Sequence, residues 1–179
     1  MKTIKLSDKE FKLYIPEEKI RKAVANIAEK MNCDLAGKDP LFVCVLNGAF
    51  MFMSDLMKNI QITDAQITFV KMASYHGTSS SGTIRQIIGL DEAIEGRTVV
   101  VVEDIVDSGF TIENVMDQLA ILQPAEVKIA SLLSKPEVMV KKVKIDYLGF
   151  EIPNDFIVGY GLDYNEFGRY LTDIYSIVS

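Results

Sequence analysis

Apolar positions in this chain fall into two patterns, unbroken runs and spaced stripes. The runs Leu41-Phe42-Val43-Cys44-Val45-Leu46 and Val99-Val100-Val101-Val102 carry no polar residue on either alternating face, as expected of strands buried on both sides. Residues 126–133 form a third buried strand, closed by Ser134-Lys135-Pro136. Each of the first two runs passes through a small turn into apolar residues at helical spacing. Asn47-Gly48-Ala49 leads into a helix over 50–58. Asp107-Ser108-Gly109 leads into one over 111–122, with Ile112, Val115, Met116 and Leu119 on one face. Strand, small turn, helix is the pattern of parallel crossover connections.

An earlier helix opens at Pro16-Glu17-Glu18, with proline in the first turn and acids at the positive end of the dipole, and buries Ile20, Val24, Ile27, Ala28 and Met31. Strands over 66–75 and 83–89 flank His76-Gly77-Thr78-Ser79-Ser80-Ser81-Gly82. That loop has no apolar residue and reads as a hairpin tip or as a lid over a site. Phe11-Lys12-Leu13-Tyr14-Ile15 reads as an edge strand or an arm, and two further apolar pieces cover 146–150 and 156–160. Together these elements predict an α/β fold with a mainly parallel central sheet flanked by helices.

At 179 residues the chain is long enough for one domain with a substantial core and too short for two. A net charge of −6 argues against nucleic acid as a partner, because binding a phosphate backbone needs a basic surface. No apolar run is long enough to span a membrane, and Met1-Lys2-Thr3-Ile4-Lys5 lacks the apolar core of a signal peptide, so a cytoplasmic location is expected. Cys33 and Cys44 lack metal-ligand spacing. A single histidine, His76, rules out a catalytic triad or a two-histidine metal site within one chain.

Candidate chemistry concentrates at 99–111. A buried strand feeding a helix N-terminus attracts phosphate through unpaired N–H groups and the helix dipole, and Ser108 and Gly109 are small enough to let it approach. Glu103, Asp104 and Asp107 place three carboxylates beside that anion site, which is costly unless hydroxyl groups or a divalent cation intervene. A phosphorylated ribose with Mg²⁺ supplies both; the alternative is a buried strand that ends in a polar surface turn. Lys135, at a strand's carboxyl end, reads as a surface lysine or as one reaching into the cleft. Phe156 reads as a core aromatic or a base-stacking wall, and Asp163 as a surface acid or a metal ligand.

Glu103-Asp104, two apolar residues, then Asp107-Ser108-Gly109-Phe110-Thr111 resemble the phosphoribosyl-pyrophosphate signature of type I phosphoribosyltransferases. Leu46-Asn47-Gly48-Ala49-Phe50, Ser74-Tyr75, Leu132-Leu133-Ser134-Lys135 and the segments 149–153 and 162–166 are similar to the hypoxanthine-guanine members of that family, over about residues 12 to 175. The resemblance implies the type I fold as a single domain over 1–179, with a core over about 36–145 and a small hood from about 1–15 and 146–179. It implies Mg²⁺-dependent transfer from phosphoribosyl pyrophosphate to a 6-oxopurine in a homodimer or homotetramer. A xanthine or guanine preference, or a non-catalytic nucleotide sensor, stands as the alternative.

By the same resemblance Glu103 and Asp104 hold the ribose hydroxyls, Asp107 takes the purine N7 proton, and Ser108, Gly109, Phe110 and Thr111 bind the 5′-phosphate. Lys135 donates to the 6-oxo group, Phe156 stacks on the base and Ile157 presents its backbone to the base edge. Glu103, Asp104 and Asp163 are the metal-binding residues, Asp163 holding a Mg²⁺ through the pyrophosphate site, and Arg169 contacts pyrophosphate. Leu46, Asn47 and Gly48 form the pyrophosphate loop, where the family often has a non-proline cis peptide, while Ser74 and Tyr75 belong to a catalytic lid. Two residues depart from the family pattern. Asn47 stands where many members carry lysine or arginine, and Phe110 replaces a polar or basic loop residue.

Overall fold

The computed structural model describes residues 2–76, 83–90 and 93–178, the backbone alone for 73–76 and 83–88. Its main sheet is built from β3 (Leu41–Leu46), β4 (Gln66–His76), β5 (Thr83–Ile88), β6 (Thr98–Val106), β7 (Glu126–Ser134) and β8 (Tyr147–Glu151), ordered β5-β4-β3-β6-β7-β8. All neighbours are parallel except β5, which runs antiparallel to β4 at one edge.

The unbroken apolar runs follow from coverage on both faces. Phe42, Cys44, Val100 and Val102 point to the side occupied by α1 (Glu17–Asp34) and α2 (Phe50–Met57). Their sequence neighbours Leu41, Val43, Val99 and Val101 meet Ile112, Val115 and Leu119 of α3 (Phe110–Ile121) on the opposite side. All eight strand residues are fully buried. Each such side chain contributes about 1.5–3 kcal/mol by leaving water, so the central strands anchor whatever is mounted on their ends.

A second, antiparallel sheet is formed by β1 (Thr3–Leu6), β2 (Lys9–Ile15), β9 (Ile157–Val158) and β10 (Ile174–Ile177), in the order β1-β2-β10-β9, around Leu6, Phe11, Val158 and Tyr175. This hood joins the two ends of the chain. Asp173 ties it to the core, taking the Lys2 ammonium at 2.6 Å and accepting the Glu17 N–H of α1 at 2.8 Å.

Two expectations change here. Phe11 to Ile15 lie in an interior strand of the hood, bonded on both sides, and not in an edge strand or arm. Residues 147–151, expected at the start of the hood, form β8 at the edge of the main sheet. Burial of the Tyr147 ring and close packing of Gly149 on the Leu132 carbonyl hold them there, and the Asp146 carboxylate accepts the Ile129 N–H at 2.9 Å just before β8 begins.

Candidate active site

Because β3, β4, β6 and β7 are parallel, their carboxyl ends share one edge of the sheet, where open α/β folds bind ligands. Leu46, Val106 and Ser134 end three of these strands, and the peptide between Leu46 and Asn47 is cis. Ser74 and Tyr75 pair by backbone with Arg85 and Ile84 near the same end of β4. Their side chains, and the expected lid over 77–82, lie outside the described residues.

Glu103 and Asp104 are both 8 % exposed near the end of β6. Burial, followed by the charge of Asp104, pushes the Glu103 carboxyl well above the usual carboxylate range. Burial also raises Asp104, opposed by the Ile105 N–H donating to its Oδ1 at 2.8 Å and, more weakly, by Glu103 and Arg169. Glu103 Oε2 is buried without a hydrogen-bond partner among the described residues. An unpartnered oxygen in a buried acidic pair is relieved by a hydroxyl donor or a cation. The same burial pushes the neighbouring Cys44 thiol up to about 12, so Cys44 serves as a core residue.

Three residues beyond Asp104 begins the turn into α3. Gly109, at φ +87°, sits at the helix N-cap, and no side chain caps the helix. The first helical bond runs from the Glu113 N–H to Gly109 O at 3.0 Å, which leaves the N–H groups of Phe110, Thr111 and Ile112 without an intrahelical acceptor. Such a terminus accepts a phosphate without further machinery. Phe110 is half-exposed beside it.

Asp107 and Lys135 bridge the ends of β6 and β7, with Nζ of Lys135 3.6 Å from the carboxylate. Lys135 is 7 % exposed, so it reaches into the cleft and is not a surface lysine. Asn154 Oδ1 accepts from the same Nζ at 3.4 Å, a contact the sequence reading missed because Asn154 lies in an aperiodic joining segment. Phe156 is partly exposed and packs edge-on to Tyr164 at 5.9 Å and tilted to Phe11 at 6.4 Å, which leaves part of its surface open. Phe156 O accepts from the Ile177 N–H, so strand alternation turns the N–H and C=O of Ile157 away from β10, toward the open edge of the hood.

On the other side of the acidic pair, a Cβ at Gly48 would overlap the Asp104 carboxylate and a Cβ at Gly161 would overlap the Gly48 carbonyl. Only glycine lets the turn after β3, the acids and the hood approach this closely. Gly161 was not singled out from sequence, although its alternation with Gly159 in a short apolar piece was a signal. Arg169 is clamped by Asp163 at 2.7 Å, Glu166 at 3.1 Å and Gly161 O at 2.9 Å. Asp163 therefore faces a cation already. Among the described residues no three acidic, cysteine or histidine groups converge into a metal cage. Glu103 and Asp104 offer only oxygen donors and fit a hard cation such as Mg²⁺, which normally completes its shell with substrate oxygens and water.

Fold and site together define a class, a parallel α/β enzyme in which an uncapped helix N-terminus follows a central strand and a buried acidic pair. Residues 15–165 match the phosphoribosyl transferase domain. The chain is 42% identical over 156 residues to the hypoxanthine-guanine phosphoribosyltransferase of Streptococcus pneumoniae, covering 87% of this chain and 86% of that one. A hypoxanthine phosphoribosyltransferase structure from Staphylococcus aureus superposes with a TM-score of 0.86 at 34% identity, over 93% of this chain and 91% of that one. The Trypanosoma cruzi enzyme, solved in complex with its product IMP, gives 0.84 at 31% identity over 98% and 97%. The chain belongs to the phosphoribosyl transferase family.

Proposed function

We propose that this chain transfers the 5-phosphoribosyl group of phosphoribosyl pyrophosphate to N9 of hypoxanthine, and also of guanine, releasing pyrophosphate and IMP or GMP. The observation that carries this reading is the buried Glu103-Asp104 pair, with its unpartnered Oε2, placed just before the uncapped N-terminus of α3. In chain order the pair and the helix start suit the 2′- and 3′-hydroxyls and the 5′-phosphate of one sugar.

In this reading the N–H groups of Phe110, Thr111 and Ile112 and the side chains of Ser108 and Thr111 hold the 5′-phosphate. Lys135 donates to the purine 6-oxo group, Ile157 offers its outward backbone to the base edge, and Phe156 covers one face of the ring. The bond from the anomeric carbon to pyrophosphate breaks as the bond to N9 forms, and Asp107 accepts the proton that leaves the base. Positive charge builds on the sugar and negative charge on the leaving group. Backbone N–H groups around Asn47 and Gly48, and Arg169 once released from Asp163, stabilise what departs. Mg²⁺ held through Glu103 and Asp104, and a second ion at Asp163, would neutralise pyrophosphate charge when bound. Ser74, Tyr75 and the segment after them would exclude water. Two free thiols suit a cytoplasmic setting.

The test is turnover by the purified chain with Mg²⁺ and phosphoribosyl pyrophosphate, each base being supplied alone and in competition. Formation of IMP from hypoxanthine is expected. Binding of phosphoribosyl pyrophosphate without turnover of hypoxanthine, guanine or xanthine would favour a nucleotide sensor, and turnover of xanthine alone would reassign the base.

A further inference from the structure

Phe110 leaves the phosphate loop without the polar or basic side chain expected at that position, and α3 places a carboxylate in the same turn, Glu113. A dianionic phosphomonoester at this N-terminus therefore meets an opposing charge. The structure brings a cation to that turn from elsewhere in the chain. The N–H groups of Val140 and Lys141 both donate to Ser108 O at 3.0 Å. A Cβ at Gly109 would lie 2.5 Å from Lys141 O, so residues 140 and 141 pack backbone to backbone against the loop. From there the side chain of Lys141 runs over the Phe110 ring, with Nζ 5.5 Å from its centroid, and reaches the Glu113 carboxylate at 2.9 Å.

We infer that Lys141 is a positioning residue of the 5′-phosphate site: held over the Phe110 ring, it neutralises the Glu113 carboxylate, which would otherwise repel a phosphate bound in the same turn. An ordinary exposed ion pair contributes little to stability. The position of this one matters more than its strength. It shares a turn with the N–H groups offered to phosphate, so losing Lys141 leaves Glu113 repelling the ligand while the fold is scarcely changed. The inference rests on the proposed reaction and adds to it a residue 30 positions away from the loop, in a segment with no recognisable motif.

Steady-state kinetics of Lys141→Met, Lys141→Arg and the double variant Lys141→Met/Glu113→Gln test it. Lys141→Met should raise KM for phosphoribosyl pyrophosphate about three- to tenfold, with kcat and KM for hypoxanthine held within about twofold. Lys141→Arg should keep parental values, and adding Glu113→Gln to Lys141→Met should restore KM. Equal weakening of both substrates, an unchanged KM in Lys141→Met, or no rescue by Glu113→Gln would overturn the inference. Calorimetric titration of the parent and Lys141→Met with ribose 5-phosphate decides it separately from turnover. Equal affinities overturn the role of Lys141 even in an active enzyme, and weaker binding by the variant supports it even if the proposed reaction fails.

Discussion

Glu103 and Asp104 are held in a state that costs stability when no ligand is present. Their carboxyls are raised above the ordinary range by burial, so the folded chain binds protons more readily than the unfolded one. Stability therefore falls as pH rises from the ordinary carboxylate range through the raised values, and below that range the penalty vanishes. Glu103→Gln should gain about 1 kcal/mol, or roughly 2–4 °C in Tm, at pH 8, with the gain disappearing toward pH 4. Thermal unfolding across that range checks the slope, and activity should fall in the same variant. Asp107 faces Lys135 and not another acid. Asp107→Asn should lower kcat about ten- to hundredfold while the KM for phosphoribosyl pyrophosphate changes far less; an unchanged kcat would remove its role as proton acceptor.

At the scale of elements, the strand-loop-helix units are the parts that were legible in the sequence. The strands at 41–46, 98–106 and 126–134 and the helices at 50–57 and 110–121 fall within one or two residues of expectation, because burial on both faces writes an unbroken run and a helix writes its period. The hood was less legible. β9 has two residues, too few for any period, and β2 pairs with a strand more than 150 positions away. The link from hood to core was also hidden. The Tyr160 hydroxyl, almost fully buried, donates to Asp55 of α2 at 2.7 Å, next to the Gly161–Gly48 contact. Tyr160→Phe should cost about 1 kcal/mol from the lost bond, because the part-exposed Asp55 keeps Lys58 as a partner at 2.7 Å. It should also raise KM for phosphoribosyl pyrophosphate more than KM for the base, since it loosens the pyrophosphate side. Denaturant unfolding and initial-rate kinetics separate the two effects.

At the scale of the molecule, one surface stays apolar. Phe50, Ile67 and Phe69 are 41 %, 42 % and 50 % exposed, and with Met53 and Met57 they line a shallow groove between α2 and the outer face of β4. A contiguous apolar patch of this kind suits a protein interface. It adjoins the start of α2, and it is where a second copy would pack in the expected homodimer or homotetramer. Sedimentation should show an oligomer that Phe69→Lys weakens; an unaltered oligomer would move the interface to another face.

The sequence by itself determined the parallel core, the strand-turn-helix unit over 99–122 and the family, because each is carried by contiguous residues whose period or spacing is local. The tertiary structure alone decided that β8 closes the main sheet, that Lys135 is buried beside Asp107 and Asn154, that Arg169 holds Asp163, and that Lys141 reaches Glu113. Apart from the Arg169 pair, whose members lie six positions apart, these contacts join residues 17 to 28 positions apart. No local period records such pairings, since they depend on which strand ends the sheet brings to a common edge.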